Sequence, residues 1–212
     1  LPNGTQFISS SYDSTIRLWD IETDETSLIF DGHEGSIYQV LFNSDGTRLL
    51  SASQDQTMHL WDAQTGELIR VFGPDDPDTD GVEGHNNRVI SADFSPDEKF
   101  IISGGYDSIM YLWDAETGEL IRGFGPDDPD TEEIIEGHVA SSGLPIWFVQ
   151  FNPDGKTAFS SSFDETIIHW NLETGEIIRI FGPDDPNTEE IEGHTVGVLG
   201  VNVLSDGKRF LS

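Results

Sequence analysis

Four residue types recur along this chain on a fixed grid, and that grid limits the folds open to it. Four tryptophans close near-identical segments: Ile16-Arg17-Leu18-Trp19-Asp20, Met58-His59-Leu60-Trp61-Asp62, Met110-Tyr111-Leu112-Trp113-Asp114 and Ile168-His169-Trp170-Asn171. Six residues before each stands an Asp (Asp13, Asp55, Asp107, Asp164), and four before that a Ser (Ser9, Ser51, Ser103, Ser160). A Gly-His pair precedes the serine, giving His33, His85, His138 and His194. The interval to Ser51, Ser103 and Ser212 is 18 residues, and to Ser160 it is 22. Self-similarity at a fixed period is the signature of a repeat architecture, in which each unit buries its apolar face against the next.

Within each period the pattern reads as short strands. Leu49-Leu50-Ser51-Ala52-Ser53 and Ile101-Ile102-Ser103 are apolar runs bounded by turns. Asn43-Ser44-Asp45-Gly46, Ser95-Pro96-Asp97-Glu98 and Asn152-Pro153-Asp154-Gly155 carry hairpin chemistry. A second turn, such as Ala63-Gln64-Thr65-Gly66-Glu67, leads into a further strand, Leu68-Ile69-Arg70-Val71-Phe72. Helical periodicity is absent. Each unit is expected to be four short antiparallel strands, and the fold class all-β.

The Gly-His, Ser, Asp and Trp-Asp posts resemble the WD-repeat β-propeller family, in the tandem form met in bacteria, over essentially the whole chain. That resemblance implies a hydrogen-bonded structural tetrad in each blade. The matching complete sets are His33/Ser51/Asp55/Trp61, His85/Ser103/Asp107/Trp113 and His138/Ser160/Asp164/Trp170. Incomplete sets are Ser9/Asp13/Trp19 and His194/Ser212. Buried indole, hydroxyl and imidazole groups each need a partner, which agrees with that implication. The expected organisation is a partial blade at 1–30, blades at 31–72, 84–124 and 137–181, and a partial blade at 193–212. These are four blade equivalents of a propeller expected to close at about seven or eight blades, within the usual range, through further chain or through association of copies.

Three of the connections to the next Gly-His carry a proline-braced acidic insert. Asp75, Asp76 and Asp78 lie in the first, Asp127, Asp128 and Asp130 in the second, and Asp184 and Asp185 in the third. The resemblance places these loops on the face where partners dock. Three readings stand: solvated loops that keep the array soluble, docking of a basic partner by charge steering, and Ca²⁺ capture by clustered carboxylate oxygens. Beyond such Ca²⁺, no cofactor is expected.

The residue before each tetrad Asp is a second candidate docking position: Tyr12, Gln54, Tyr106 and Phe163. Tyr38 and Trp147, early in their strands, extend that surface, with Ile90 and Leu199 at matching positions. Aromatic side chains anchor partner segments well. Covering a neighbouring blade is the alternative role for these rings. His59 and His169 share a position with Arg17 and Tyr111, so they are expected at the surface and not as metal ligands.

Charge and composition exclude several classes. A net charge of −30 repels nucleic acid and anionic membranes. The absence of cysteine removes disulfides and thiol chemistry, and no apolar run is long enough to span a bilayer. The recurring Ser, His and Asp do not read as a hydrolase triad, since a nucleophile would be singular and exposed. Enzymatic activity is not expected. The expected role is a protein–protein interaction scaffold, with a Ca²⁺-binding structural or surface-assembly protein as the alternative. The compartment stays open, with the cytoplasm favoured and an extracellular location compatible.

Overall fold

The computed structural model describes residues 4–74, 84–125, 138, 144–182, 194 and 196–212. Every regular element in them is a strand. They fall into two compact units, Leu1–Val89 and Ile90–Ser212.

The first unit holds two antiparallel sheets. One has three strands, β1 (Gln6–Ser10), β2 (Thr15–Asp20) and β3 (Thr26–Asp31), and the other four: β4 (Ile37–Phe42), β5 (Arg48–Ser53), β6 (Met58–Asp62) and β7 (Leu68–Phe72). The second unit carries the sheet β8 (Val89–Phe94), β9 (Phe100–Gly105), β10 (Met110–Asp114) and β11 (Leu120–Phe124), apart from Val89. It also carries β12 (Ile146–Phe151), β13 (Thr157–Ser162), β14 (Ile167–Asn171) and β15 (Ile177–Phe181), then the short pair β16 (Asn202–Val203) and β17 (Phe210–Leu211). Strand order in each sheet follows chain order, as expected of sequential hairpins.

Burial explains why these sequences do not all alternate. In β5, Leu49 through Ser53 are buried on both faces, so the run is continuously apolar or small. In β7 only Phe72 is fully buried, while Leu68 and Ile69 face solvent. The turns match their residues. Gly46 and Gly155 sit at φ 74° and 66°, and the same position in the sheet β8–β11 is Glu98 at φ 60°. Glycine takes that region freely, whereas a glutamate there is strained. In the next turn Asp62 Oδ1 accepts the Gln64 and Thr65 amides at 2.9 and 2.8 Å, and Asp114 and Asn171 repeat the arrangement.

Each outermost strand breaks register opposite its tryptophan. Leu60 pairs with Arg70 and Trp61 with Leu68, leaving Ile69 as the extra residue of a bulge. Ile121 and Ile178 are the extra residues of the two later sheets. This accounts for three isoleucines that are 43–50% exposed, which period-two alternation does not anticipate. The bulge also blunts an edge open to non-native pairing.

Neighbouring sheets within a unit interlock through aromatics. Trp61 meets Phe30 of the preceding sheet edge-on at 5.8 Å, and Trp170 meets Phe124 at 5.7 Å. The core of the first unit gathers Ile16, Leu18, Phe30, Ile37, Leu49 and Trp61. That of the second centres on Met110, Phe124, Ile146, Val149, Ile168 and Trp170.

A polar clasp joins inner strands in the second unit. Ser91 Oγ and Asp93 Oδ2 on β8 accept the Val149 and Phe151 amides of β12, at 3.2 and 2.9 Å. Gln150 Oε1 accepts the Val203 amide at 2.8 Å in the same way. These side chains satisfy edge N–H groups that no strand pairs. Burial raises Asp93 to a pKa of about 6, only partly offset by the N–H groups of Phe151 and Phe94.

Candidate functional site

Each tetrad is assembled by one sheet. β5 supplies Ser51, the β5–β6 turn supplies Asp55, β6 supplies Trp61, and the segment entering β4 supplies His33. Trp61 Nε1 donates to Ser51 Oγ at 2.9 Å. His33 Nε2 lies 2.7 Å from that oxygen, and His33 Nδ1 lies 2.7 Å from Asp55 Oδ2. With the indole N–H feeding the hydroxyl oxygen, a consistent network sends the hydroxyl hydrogen to Nε2 and the Nδ1 hydrogen to the carboxylate. Asp55 also accepts Glu34 N–H at 3.0 Å, and the Thr57 amide and hydroxyl at 3.0 and 2.6 Å. Burial would raise its pKa, but the bond to His33, that ring's charge when protonated and Thr57 together hold the carboxyl far below the usual range.

The sheet β12–β15 repeats the set. Trp170 donates to Ser160 at 2.8 Å, His138 Nε2 sits 2.8 Å from Ser160, and its Nδ1 sits 2.8 Å from Asp164. Asp164 is lowered by the same balance of burial against His138 and Thr166. In the sheet β8–β11, Trp113 donates to Ser103 at 2.8 Å and Asp107 accepts the Ile109 amide at 3.3 Å. His85 is buried and belongs to the first unit. Of the incomplete sets, Trp19 reaches Ser9 at 2.9 Å, Asp13 accepts the Thr15 amide at 3.0 Å, and His194 lies 2.7 Å from Ser212.

Two expectations about histidines need correction. His59 is buried, not at the surface: its ring stacks on His33 at 3.7 Å with 10° between planes, and its Nδ1 has no hydrogen-bond partner among the described residues. Burial first, then the charge His33 carries when protonated, pushes its pKa down to about 3. His169 is half-buried, stacks on Phe159 at 4.2 Å, and is lowered by burial. A shared position with Arg17 and Tyr111 hid both stacks.

His33, Asp55 and His59 bring three potential metal-ligating atoms within 4.8 Å of one another. The stack argues against a metal centre. Lone pairs lie in the ring planes, and two near-parallel planes this far apart cannot both aim at an ion about 2.0–2.1 Å from each nitrogen. Both nitrogens of His33 are already engaged. Ser51 and Ser160 are fully buried and each accepts an indole N–H, so neither hydroxyl is open to a substrate.

The aromatic positions form a separate group in each unit. Tyr12, 80% exposed, stands edge-on to half-buried Tyr38 at 6.4 Å, and Tyr38 Oη accepts from Arg88 Nη1 at 3.3 Å. Gln54 is exposed. In the second unit Trp147 lies 6.2 Å from Tyr106 and 5.3 Å from Phe163, which is 41% exposed. Trp147 Nε1 is buried and has no hydrogen-bond partner among the described residues. Tyr38 and Trp147 are each the extra residue of a bulge near the start of their strand, a device that re-aims a side chain. Of the positions thought to extend this surface, Leu199 is exposed and Ile90 is buried. The acidic positions Asp75, Asp76, Asp78, Asp127, Asp128, Asp130, Asp184 and Asp185 lie outside the described residues.

Repeated four-stranded antiparallel sheets, each carrying its own Ser–Trp bond and, in two of them, a complete tetrad, define a blade-repeat protein braced from within. Residues 1–20, 25–62, 79–114 and 131–171 match the WD40 family model, described as WD domain, G-beta repeat. The chain belongs to that family. It is 30% identical to a protein HIR1 of Candida albicans over 96 residues, 45% of this chain and 11% of the relative. It is 30% identical to a guanine nucleotide-binding protein subunit beta of rice (Oryza sativa subsp. japonica) over 163 residues, 58% of this chain and 40% of the relative. Human apoptotic protease-activating factor 1 is 26% identical over 191 residues, 90% of this chain and 14% of the relative. The chain therefore spans well under half the length of each. None of the three is bacterial, so they support the family and not the bacterial subtype.

Proposed function

We propose that the chain is a non-enzymatic protein–protein interaction scaffold whose partners dock on the aromatic groups beside the tetrad turns. The observation that carries this reading is a division of labour. The tetrad groups are spent on internal bracing, while Tyr12 and Phe163, each one residue before an Asp of the grid, are exposed on turns held by that Asp: Asp164 through His138, and Asp13 through the Thr15 amide and hydroxyl. Rigidly presented aromatic rings lose little entropy on binding and make strong anchors. The rice relative is by name a subunit, which fits a role inside assemblies. The net charge of −30 favours a basic partner through faster encounter.

The test is quantitative capture of partners by the chain and by a Tyr12→Ser, Tyr106→Ser, Phe163→Ser triple variant, with matched melting temperatures as the control for folding. Loss of bound partners supports the docking reading. An unchanged set of partners leaves the array as a spacer.

A further inference from the structure

We infer that the second unit contains a small-molecule site for an apolar carboxylate, at the end of its blades opposite the tetrad turns. Between the sheets β8–β11 and β12–β15 lies a cavity of about 550 Å³, within the range of ligand pockets. It opens where the Asn152–Gly155 and Asn171–Gly175 turns lie, while Asp164 sits on the turn at the other end of β13.

Its wall is apolar, formed by Phe100, Leu112, Phe151 and Leu172, the last three of them 5–8% exposed. Its formal charges balance, Arg122 and Lys156 against Asp154 and Glu173, but its hydrogen-bonding capacity does not. Arg122 and Lys156 both line it. Arg122 Nη1 donates to the Thr174 carbonyl at 3.0 Å, and its remaining N–H groups have no partner among the described residues. The Lys156 ammonium makes no ion pair among them either. Asp154 is the nearby counter-charge, but its oxygens already accept the Lys156 and Thr157 amides at 2.8 and 3.1 Å, the Thr157 hydroxyl at 3.3 Å and the Asn152 amide group at 3.3 Å. Glu173 and Lys156 both stand exposed at the rim, where water screens each, which leaves half-buried Arg122 as the principal cation of the site. The groups left to bind are therefore cationic donors above an apolar floor. A carboxylate on an aryl or branched aliphatic body matches both. Arg122 is placed by its hydrogen bond before any ligand arrives, so little ordering is needed on binding.

The overall charge of −30 opposes an anion at long range, and salt at about 0.15 M reduces that opposition to within roughly 8 Å. The probe is 4-phenylbutyrate at that salt, against the neutral 4-phenylbutanamide, followed by NMR shifts of the labelled full chain. Saturable binding of the acid is expected with a Kd on the order of 1 mM, as suits a dozen heavy atoms, with shifts centred on Phe100, Leu112 and Leu172. The amide should bind at least about five-fold more weakly, and Lys156→Glu, an exposed change, should weaken the acid by a similar factor. Arg122→Leu should abolish binding while the chain stays folded. Shifts centred elsewhere, no saturation, equal affinity for acid and amide, or indifference to Lys156→Glu overturns the site.

Discussion

Among the described residues a junction closed by a tryptophan–phenylalanine contact occurs once inside each unit, and the two copies are filled differently. In the first unit Gly66, at φ 77°, closes over the Leu28 side chain, which would lie 3.2 Å from a Cβ at that position. In the second, Gly175, at φ 82°, closes over Arg122. The tryptophan–phenylalanine contact, the bulge opposite the tryptophan and the Asx-type turn are common to both. One residue on the outer strand thus separates a junction packed by leucine from one lined by a guanidinium. The backbone devices set the architecture, and the side chain under the glycine sets what each junction can do.

The part shared by the two junctions carries the largest effect. Trp61→Ala and Trp170→Ala each remove a fully buried indole, its hydroxyl partner and its phenylalanine contact. Each should cost about 3–5 kcal/mol in chemical denaturation. A cost confined to one unit would show that the junctions are not equivalent in their core.

The units should also part company in acid. In the first, His59 has a folded pKa pushed below its ordinary 6.5, so stability is lost as pH falls from 6.5 toward 3. In the second, Asp93 has a folded pKa raised from 3.8 to about 6, so stability is gained as pH falls through 6 toward 3.8. Asp93→Asn keeps an acceptor for the Phe151 amide. It should stabilise the chain at pH values above 7 by about 1–3 kcal/mol and flatten the second unit's response. Hydrogen exchange at paired pH values reads both units at once. Matching slopes would contradict the two assignments.

Swapping the distinguishing residue gives a smaller effect. Leu28→Arg should destabilise by about 1–2 kcal/mol, because a charge enters a junction packed by Ile8, Val40 and Phe42. Arg122→Leu should be within about 1 kcal/mol of neutral, and thermal melts distinguish the two. The smallest change is Glu98→Gly, which relieves a left-handed glutamate. It should raise stability by up to about 1 kcal/mol, less the entropy that glycine adds to the unfolded chain.

The repeat, the four-stranded sheets and the grid of Ser, His, Asp and Trp were legible because turns and hydrogen bonds fix their spacing exclusively within one blade. The His59 stack was not legible. Residue type at that position varies among Arg17, His59, Tyr111 and His169, and what buries His59 is the Gly-His segment lying across it, not its own strand. The exposed Ile69, Ile121 and Ile178 escaped for a related reason: alternation assumes unbroken pairing, and a bulge shifts the phase. Trp147 stood out in the sequence by its position, but its burial toward Tyr106 and Phe163 depends on a bulge with no marker in residue type.

The clasp from β8 to β12 bears on how such chains grow. Ser91 and Asp93 grip main-chain amides, which every residue but proline presents. A newly copied blade therefore finds a compatible neighbour without compensating substitutions on the other side. Lengthening the array by duplication then needs an inner strand that reaches these acceptors and a tryptophan that meets the phenylalanine of the sheet before it.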